Sequence, residues 1–146
     1  WQIVLGKYFA GLAVIFISLI PTILYAISIN QLALPQKIDG GSMMGSYLGL
    51  FILAATFTSI GIFASILSKN QIIAFLIGFI INLFFYFGWE QMAILYDKLP
   101  NFFQKLGMFA HYKSLGRGVI DSRDLVYFSS LGFLFLWITK KIFATK

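Results

Sequence analysis

The densest collection of reactive side chains in the chain is the run His111-Tyr112-Lys113-Ser114-Leu115-Gly116-Arg117-Gly118-Val119-Ile120-Asp121, followed by Arg123 and Asp124. Its spacing excludes several chemistries. Gly116-x-Gly118 lacks the third glycine and the preceding strand of a dinucleotide-binding loop. A single His and no Cys cannot furnish an ordinary zinc site. Gly40-Gly41-Ser42-Met43-Met44 misses the closing glycine of a nucleophile elbow. No GxxxxGK[ST] or HExxH pattern occurs, so the chain is not itself a P-loop ATPase or a zincin. Two readings of the cations remain. Lys113, Arg117 and Arg123 contact anionic headgroups, or they form solvated salt bridges with Asp121 and Asp124, where exposed pairs contribute little. Asp121 is placed to cap a following helix, with Asp124 favourably near its positive end. No catalytic residue, cofactor site or metal site is expected in this chain.

Elsewhere the polar residues suit packing. Ala54, Thr58, Gly61 and Ser65 are spaced four, three and four apart, which places them on one helical face, and Gly45 and Gly49 form a GxxxG pair before them. Small residues let helices approach closely in lipid. The expectation is therefore a helix–helix seam, either static or sliding during transport. Asn82 is the only amide deep in an apolar run, placed to bond a neighbouring helix or to touch a substrate. No Asp, Glu, Lys, Arg or His interrupts these runs before Lys140. A proton pump or ion-coupled carrier, which needs ionisable groups within the membrane, is disfavoured.

The elements that must position these residues follow from composition. The chain has 146 residues, of which 60% are hydrophobic, 18% aromatic and 11% charged, against about 25% charged in an ordinary soluble domain. Mean hydropathy is +0.88. Too few charges remain to cover a soluble surface, disorder needs the opposite composition, and the absence of Cys removes a disulfide scaffold. An all-α polytopic membrane bundle is expected, with spans at about 8–29, 46–67, 72–89 and 125–143. Pro21 should kink the first. The last is short before Lys140 and Lys141, whose side chains must snorkel. β-Barrel strands would alternate polar and apolar residues, and these runs do not.

Asn30–Gly45, with Pro35, forms one connection and Ser68-Lys69-Asn70-Gln71 a tight turn. The long segment 90–124 joins the last two spans. Asn101–Ala110 reads as one amphipathic helix, with Phe102, Phe103, Leu106, Phe109 and Ala110 on one face and Gln104 and Lys105 on the other. Four spans put both termini on one side, with Lys7, Lys69, Lys140, Lys141 and Lys146 and no acid. The other side carries Lys37, Lys98, Lys105, Lys113, Arg117 and Arg123 together with all five acids. Cation density in short stretches places the termini in the cytoplasm, and the net charge of +6 is read as orientation, with no nucleic acid as partner. The start at Trp1-Gln2-Ile3, without a Met or a signal peptide, suggests a fragment of a longer protein.

Three stretches together resemble the C-terminal part of ABC-2 type transporter permeases, in particular the gliding-motility-associated permeases of Bacteroidetes. They are Gly45-Ser46-Tyr47-Leu48-Gly49-Leu50 with Ala55-Thr56-Phe57-Thr58-Ser59-Ile60-Gly61, the run from Phe63 to Phe75, and the run from His111 to Phe128. The resemblance implies a six-span permease of the bacterial inner membrane. That permease pairs with a second permease subunit, as a homo- or heterodimer, and with a cytoplasmic ABC ATPase subunit that drives alternating access. It implies that 90–124 forms re-entrant outer helices. By that comparison the first two spans and the coupling helix after them lie outside this chain. The family carries no catalytic residues in its permease. A non-transporting anchor or assembly subunit is the competing reading, and an intramembrane enzyme has no motif behind it.

Overall fold

Inside hydrocarbon a helix is the one open-chain structure that satisfies its own backbone, and among the described residues every regular element is helical. The computed structural model describes residues 1–33, 39–96 and 100–145; Pro35, Lys37, Lys98 and Lys146 lie outside the described residues. The elements are α1 (Gln2–Leu32), α2 (Gly40–Leu67), α3 (Gln71–Leu83), a π-helical turn (Phe84–Gly88), α4 (Trp89–Leu95), α5 (Pro100–Leu106), α6 (Met108–Gly116) and α7 (Ser122–Thr145). Four helical stretches are long and apolar enough to cross a membrane: Gln2–Leu32, Gly40–Leu67, Gln71–Leu95 and Ser122–Thr145. The protein is an all-α polytopic bundle. Each stretch is longer than its apolar run alone suggests, because the flanking polar residues continue the helix.

The starts of the helices are set by local side chains. Asp39 Oδ1 accepts from the Gly41 N–H at 3.2 Å and opens α2. Asn70 Oδ1 accepts from the Ile72 N–H at 2.9 Å and opens α3, so the α2–α3 turn needs only Ser68 and Lys69 besides its cap. Asp121 Oδ1 accepts from the Arg123 N–H at 3.1 Å at the start of α7. Each bond satisfies a donor that a helix N-terminus otherwise leaves free. Pro21 sits on the exposed side of α1, which continues through it.

α2 is the hub and packs against α1, α3, α6 and α7. The buried cluster Ile60, Met108, Leu115, Phe128 and Phe135 joins α2, α6 and α7. α1 is attached more lightly. Val4 is its one buried residue; Gly11 meets Thr58 of α2, and the Tyr47 hydroxyl donates to the Thr22 carbonyl at 2.8 Å. The remaining apolar side chains of α1 are largely exposed, as expected where lipid replaces water.

Candidate functional site

The site is built where α5 and α6 fold back against the first turns of α2. The single helix expected over Asn101–Ala110 is two helices. Gly107 is extended, at φ −79° and ψ 136°, and separates α5 from α6. The break changes which residues face inward. Met108 is fully buried, whereas Phe102 is 61% exposed and Ala110 also faces outward. Phe103 stacks on Trp89 with centroids 6.2 Å apart, and Phe109 lies against Tyr86 and Phe87. A helical period of 3.6 carried across Gly107 cannot give this pattern, because the extended residue resets the phase.

α6 lies on α2 at backbone distance. A Cβ on Gly45 would stand 2.5 Å from Gly118 Cα and 3.1 Å from the Leu115 carbonyl oxygen, and one on Gly49 would stand 2.9 Å from Leu115 Cβ. The GxxxG pair therefore receives α6 and the turn after it. Gly118 has φ +80° and ends α6 in the left-handed conformation; its N–H donates to the Leu115 carbonyl at 3.0 Å. The Ser46 and Ser42 hydroxyls both reach the Gly116 carbonyl, at 3.1 and 3.5 Å. Arg117 is the residue at the end of α6, with its side chain exposed.

The chemistry-bearing run converges on one imidazole. His111 Nδ1 lies 2.5 Å from Asp124 Oδ1, and Nε2 lies 2.8 Å from the Lys105 carbonyl. The ring stacks on Tyr127 at 4.1 Å, and the Tyr127 hydroxyl donates to the Leu106 carbonyl. Three elements meet here: the end of α5, the middle of α6 and the start of α7. The Asp124 side chain is only 7% exposed. A carboxylate so placed is costly unless it is paired. Salt bridges from Lys113, Arg117 or Arg123 to Asp121 and Asp124 do not form. Among the described residues the one ion pair is His111–Asp124, and the three cations are exposed. The sequence reading missed this pair. The signal available was a His and an Asp at the two ends of one polar run; what was lacking was the Gly116–Gly118 turn that folds them face to face.

The seam expected along Ala54, Thr58, Gly61 and Ser65 is divided among neighbours. Ala54 is half-buried and its carbonyl accepts from the Thr58 hydroxyl at 2.7 Å. Thr58 faces α1, with its Cγ2 2.7 Å from where a Gly11 Cβ would be. Gly61 Cα lies 3.8 Å from the Cβ position of Gly78, but a Cβ on Gly61 itself would meet nothing within 4 Å. Gly61 and Ser65 border a cleft of about 590 Å³ between α2 and α3, walled by Phe57, Phe75, Phe79 and Tyr86. Asn82 lines it, and its Oδ1 is buried without a hydrogen-bond partner. The tight contact with α7 uses a neighbouring stripe: Thr56 donates to the Phe128 carbonyl at 3.4 Å, and Ser59 lies under Gly132.

A small hairpin is fastened over one end of a bundle, beside an apolar cleft. Among the described residues no three of His, Cys, Asp and Glu are grouped to hold a metal ion. The family model described as ABC-2 family transporter protein matches residues 1–141, and so takes in the first three long apolar helices, the hairpin after them and all but the last turn of the fourth. No curated protein and no solved structure matches the chain.

Proposed function

The chain belongs to the ABC-2 transporter family, and from that premise we propose that it is the permease subunit of a bacterial ATP-driven transporter working by alternating access. It is a multi-pass membrane component of an ABC transporter and not its catalytic part. In the proposed assembly, ATP binding and hydrolysis occur on a separate cytoplasmic ABC ATPase. A second permease subunit, identical or related, completes the path across the bilayer, and the chain itself carries no cofactor. The match over residues 1–141 carries this reading.

The orientation belongs to the proposal as well. Both termini lie in the cytoplasm of a bacterial inner membrane. Lys7 of α1, Lys69 in the α2–α3 turn and Lys140 and Lys141 of α7 support this, because short cation-dense stretches stay inside. The α5–α6 hairpin then covers the outer end. The gliding-motility-associated type is supported by the likeness of the run from His111 to Phe128.

Affinity purification of the tagged full-length protein from its native membrane tests the function. An ABC ATPase bearing a P-loop should co-purify, and its ATP hydrolysis should depend on the permease. Recovery of a stable complex without any ATPase would favour the anchor or assembly reading and refute the transporter.

A further inference from the structure

His111 is the one imidazole in the chain, and both of its nitrogens are engaged by different elements. The proton count follows from the partners. The Lys105 carbonyl is acceptor-only, so Nε2 must carry a hydrogen. A contact of 2.5 Å between Nδ1 and Asp124 Oδ1 needs a proton of its own. Both bonds therefore exist together only while the His111–Asp124 pair holds that additional proton, as imidazolium with carboxylate or as imidazole with carboxylic acid. Asp124 Oδ2 is buried with no hydrogen-bond partner, so a further proton placed there would be an unsatisfied donor.

When the additional proton leaves, a neutral imidazole has a single N–H. Facing the buried carboxylate, that hydrogen goes to Nδ1, the better electrostatic choice. Nε2 then presents a lone pair to the Lys105 carbonyl, and the two repel. The bond to α7 survives and the bond to α5 is lost. We propose that His111 is a proton-dependent bridge between α5 and α7, and that its deprotonation loosens the end of α5, which the Tyr127–Leu106 bond and the Phe103–Trp89 stack then hold alone, while α6 stays fixed to α2. The division of the hairpin supports this. α6 is held by Gly45, Gly49, Ser46 and Leu115, none of which titrates. α5 has seven residues, is joined to α6 through the extended Gly107 and uses its last two carbonyls, of Lys105 and Leu106, to reach His111 and Tyr127.

Among the described residues no other charge touches the His111–Asp124 pair. α2 and α3 contain no charged residue. Lys105 on α5, Lys113 on α6, and Asp121 and Arg123 at the start of α7 are exposed. Lys7 lies on α1, and Lys140 and Lys141 lie at the far end of α7. Glu90 on α4 borders a separate groove with Gln104 and Lys113. Arg117 at the end of α6 is exposed, Asp39 caps α2 through the Gly41 N–H, and Tyr86, Tyr96, Tyr112 and Tyr127 are the tyrosines around the hairpin. The sign follows: the bridged form binds one more proton than the released form, so bridging is favoured at low pH and weakens as pH rises.

The bridge stands independently of the transporter reading; only its use as a gate rests on that reading. It is tested on the full chain in lipid nanodiscs, without nucleotide or partner. Spin labels are placed at the exposed positions Asn101 on α5 and Ser130 on α7, and their separation is followed across pH. A single distance is expected at low pH. A second, changed distance should grow as pH rises, with the ratio of the two shifting about 10- to 100-fold, the equivalent of one charge-assisted hydrogen bond. Asp124→Asn offers Nδ1 an amide N–H donor, so a neutral His111 can keep its single hydrogen on Nε2 and the bridge to α5 should hold across the pH range. His111→Gln should remove the pH response. Glu90→Gln should leave it unchanged. A wild-type distance constant over the whole pH range overturns the proposal, as does a response that survives Asp124→Asn unshifted or disappears with Glu90→Gln. The wild-type titration needs no variant to fold. Loss of ATPase co-purification would bear on the transporter reading and leave this result untouched.

Discussion

Gly45→Ala tests whether the α2–α6 contact is as close as the backbone distances state. The added Cβ would stand 2.5 Å from Gly118 Cα and 3.1 Å from the Leu115 carbonyl oxygen. Carbon atoms rest at about 3.5–4.0 Å, so the Gly118 backbone must retreat by about 1 Å. It cannot retreat freely. Gly118 itself, at φ +80°, is wedged against Ser42 and Gly41, and the neighbouring Gly116 carbonyl accepts from Ser46 at 3.1 Å. Overpacking of this kind costs about 1–3 kcal/mol, and a lost hydrogen bond adds about 1 kcal/mol. Replacing a helical Gly by Ala returns about 0.8–1.0 kcal/mol of propensity. The net expectation is a destabilisation of about 1–3 kcal/mol. Gly61→Ala is the matched control, because it gains the same propensity and its Cβ meets nothing within 4 Å. Reversible unfolding in mixed micelles, with amide exchange across 108–116 as a local probe, reads both variants. Gly45→Ala should speed exchange in α6 by about 5- to 150-fold if it opens locally, and Gly61→Ala should not. If Gly45→Ala is no more destabilising than Gly61→Ala, α6 does not lie on α2 as described.

Phe128→Ala removes a ring that is 1% exposed at the meeting of α2, α6 and α7; unfolding in the same micelles should show a loss of about 3–5 kcal/mol. Phe103→Asp breaks the stack on Trp89 and places a charge between α4 and α5, so proteolysis or exchange should reveal a loosened α5, whereas Gln104→Asp at an exposed position should leave it intact. Cysteines substituted at Asn70 and Lys105, which lie in the α2–α3 turn and on α5, should react with impermeant reagents from opposite faces of the membrane. Reaction of both from one face would refute the orientation.

The apolar runs determined the all-helical class and the four membrane-crossing stretches. Hydrophobic length is a local property, and no tertiary partner is needed to make such a run helical in lipid. Asp121 as a cap was equally legible, because the bond spans two residues. Gly45 and Gly49 could be singled out as packing residues, but not their partner, since Leu115 and Gly118 approach from about 70 residues away.

Tertiary structure decided the rest. Gly107 splits the expected helix because an extended residue there lets Met108 reach the core beside Ile60 and Phe128. Gly61, equivalent to Thr58 by spacing, ends at an open cleft because α1 covers one part of that face and α3 only borders the other. Asp124 reads as a solvated carboxylate in sequence and becomes a buried one in the fold, since the left-handed Gly118 turns α7 back along α6 and brings His111 against it. Helix formation depends on neighbours within a few residues. The meeting of an imidazole with a carboxylate thirteen residues away depends on where a turn sends the chain.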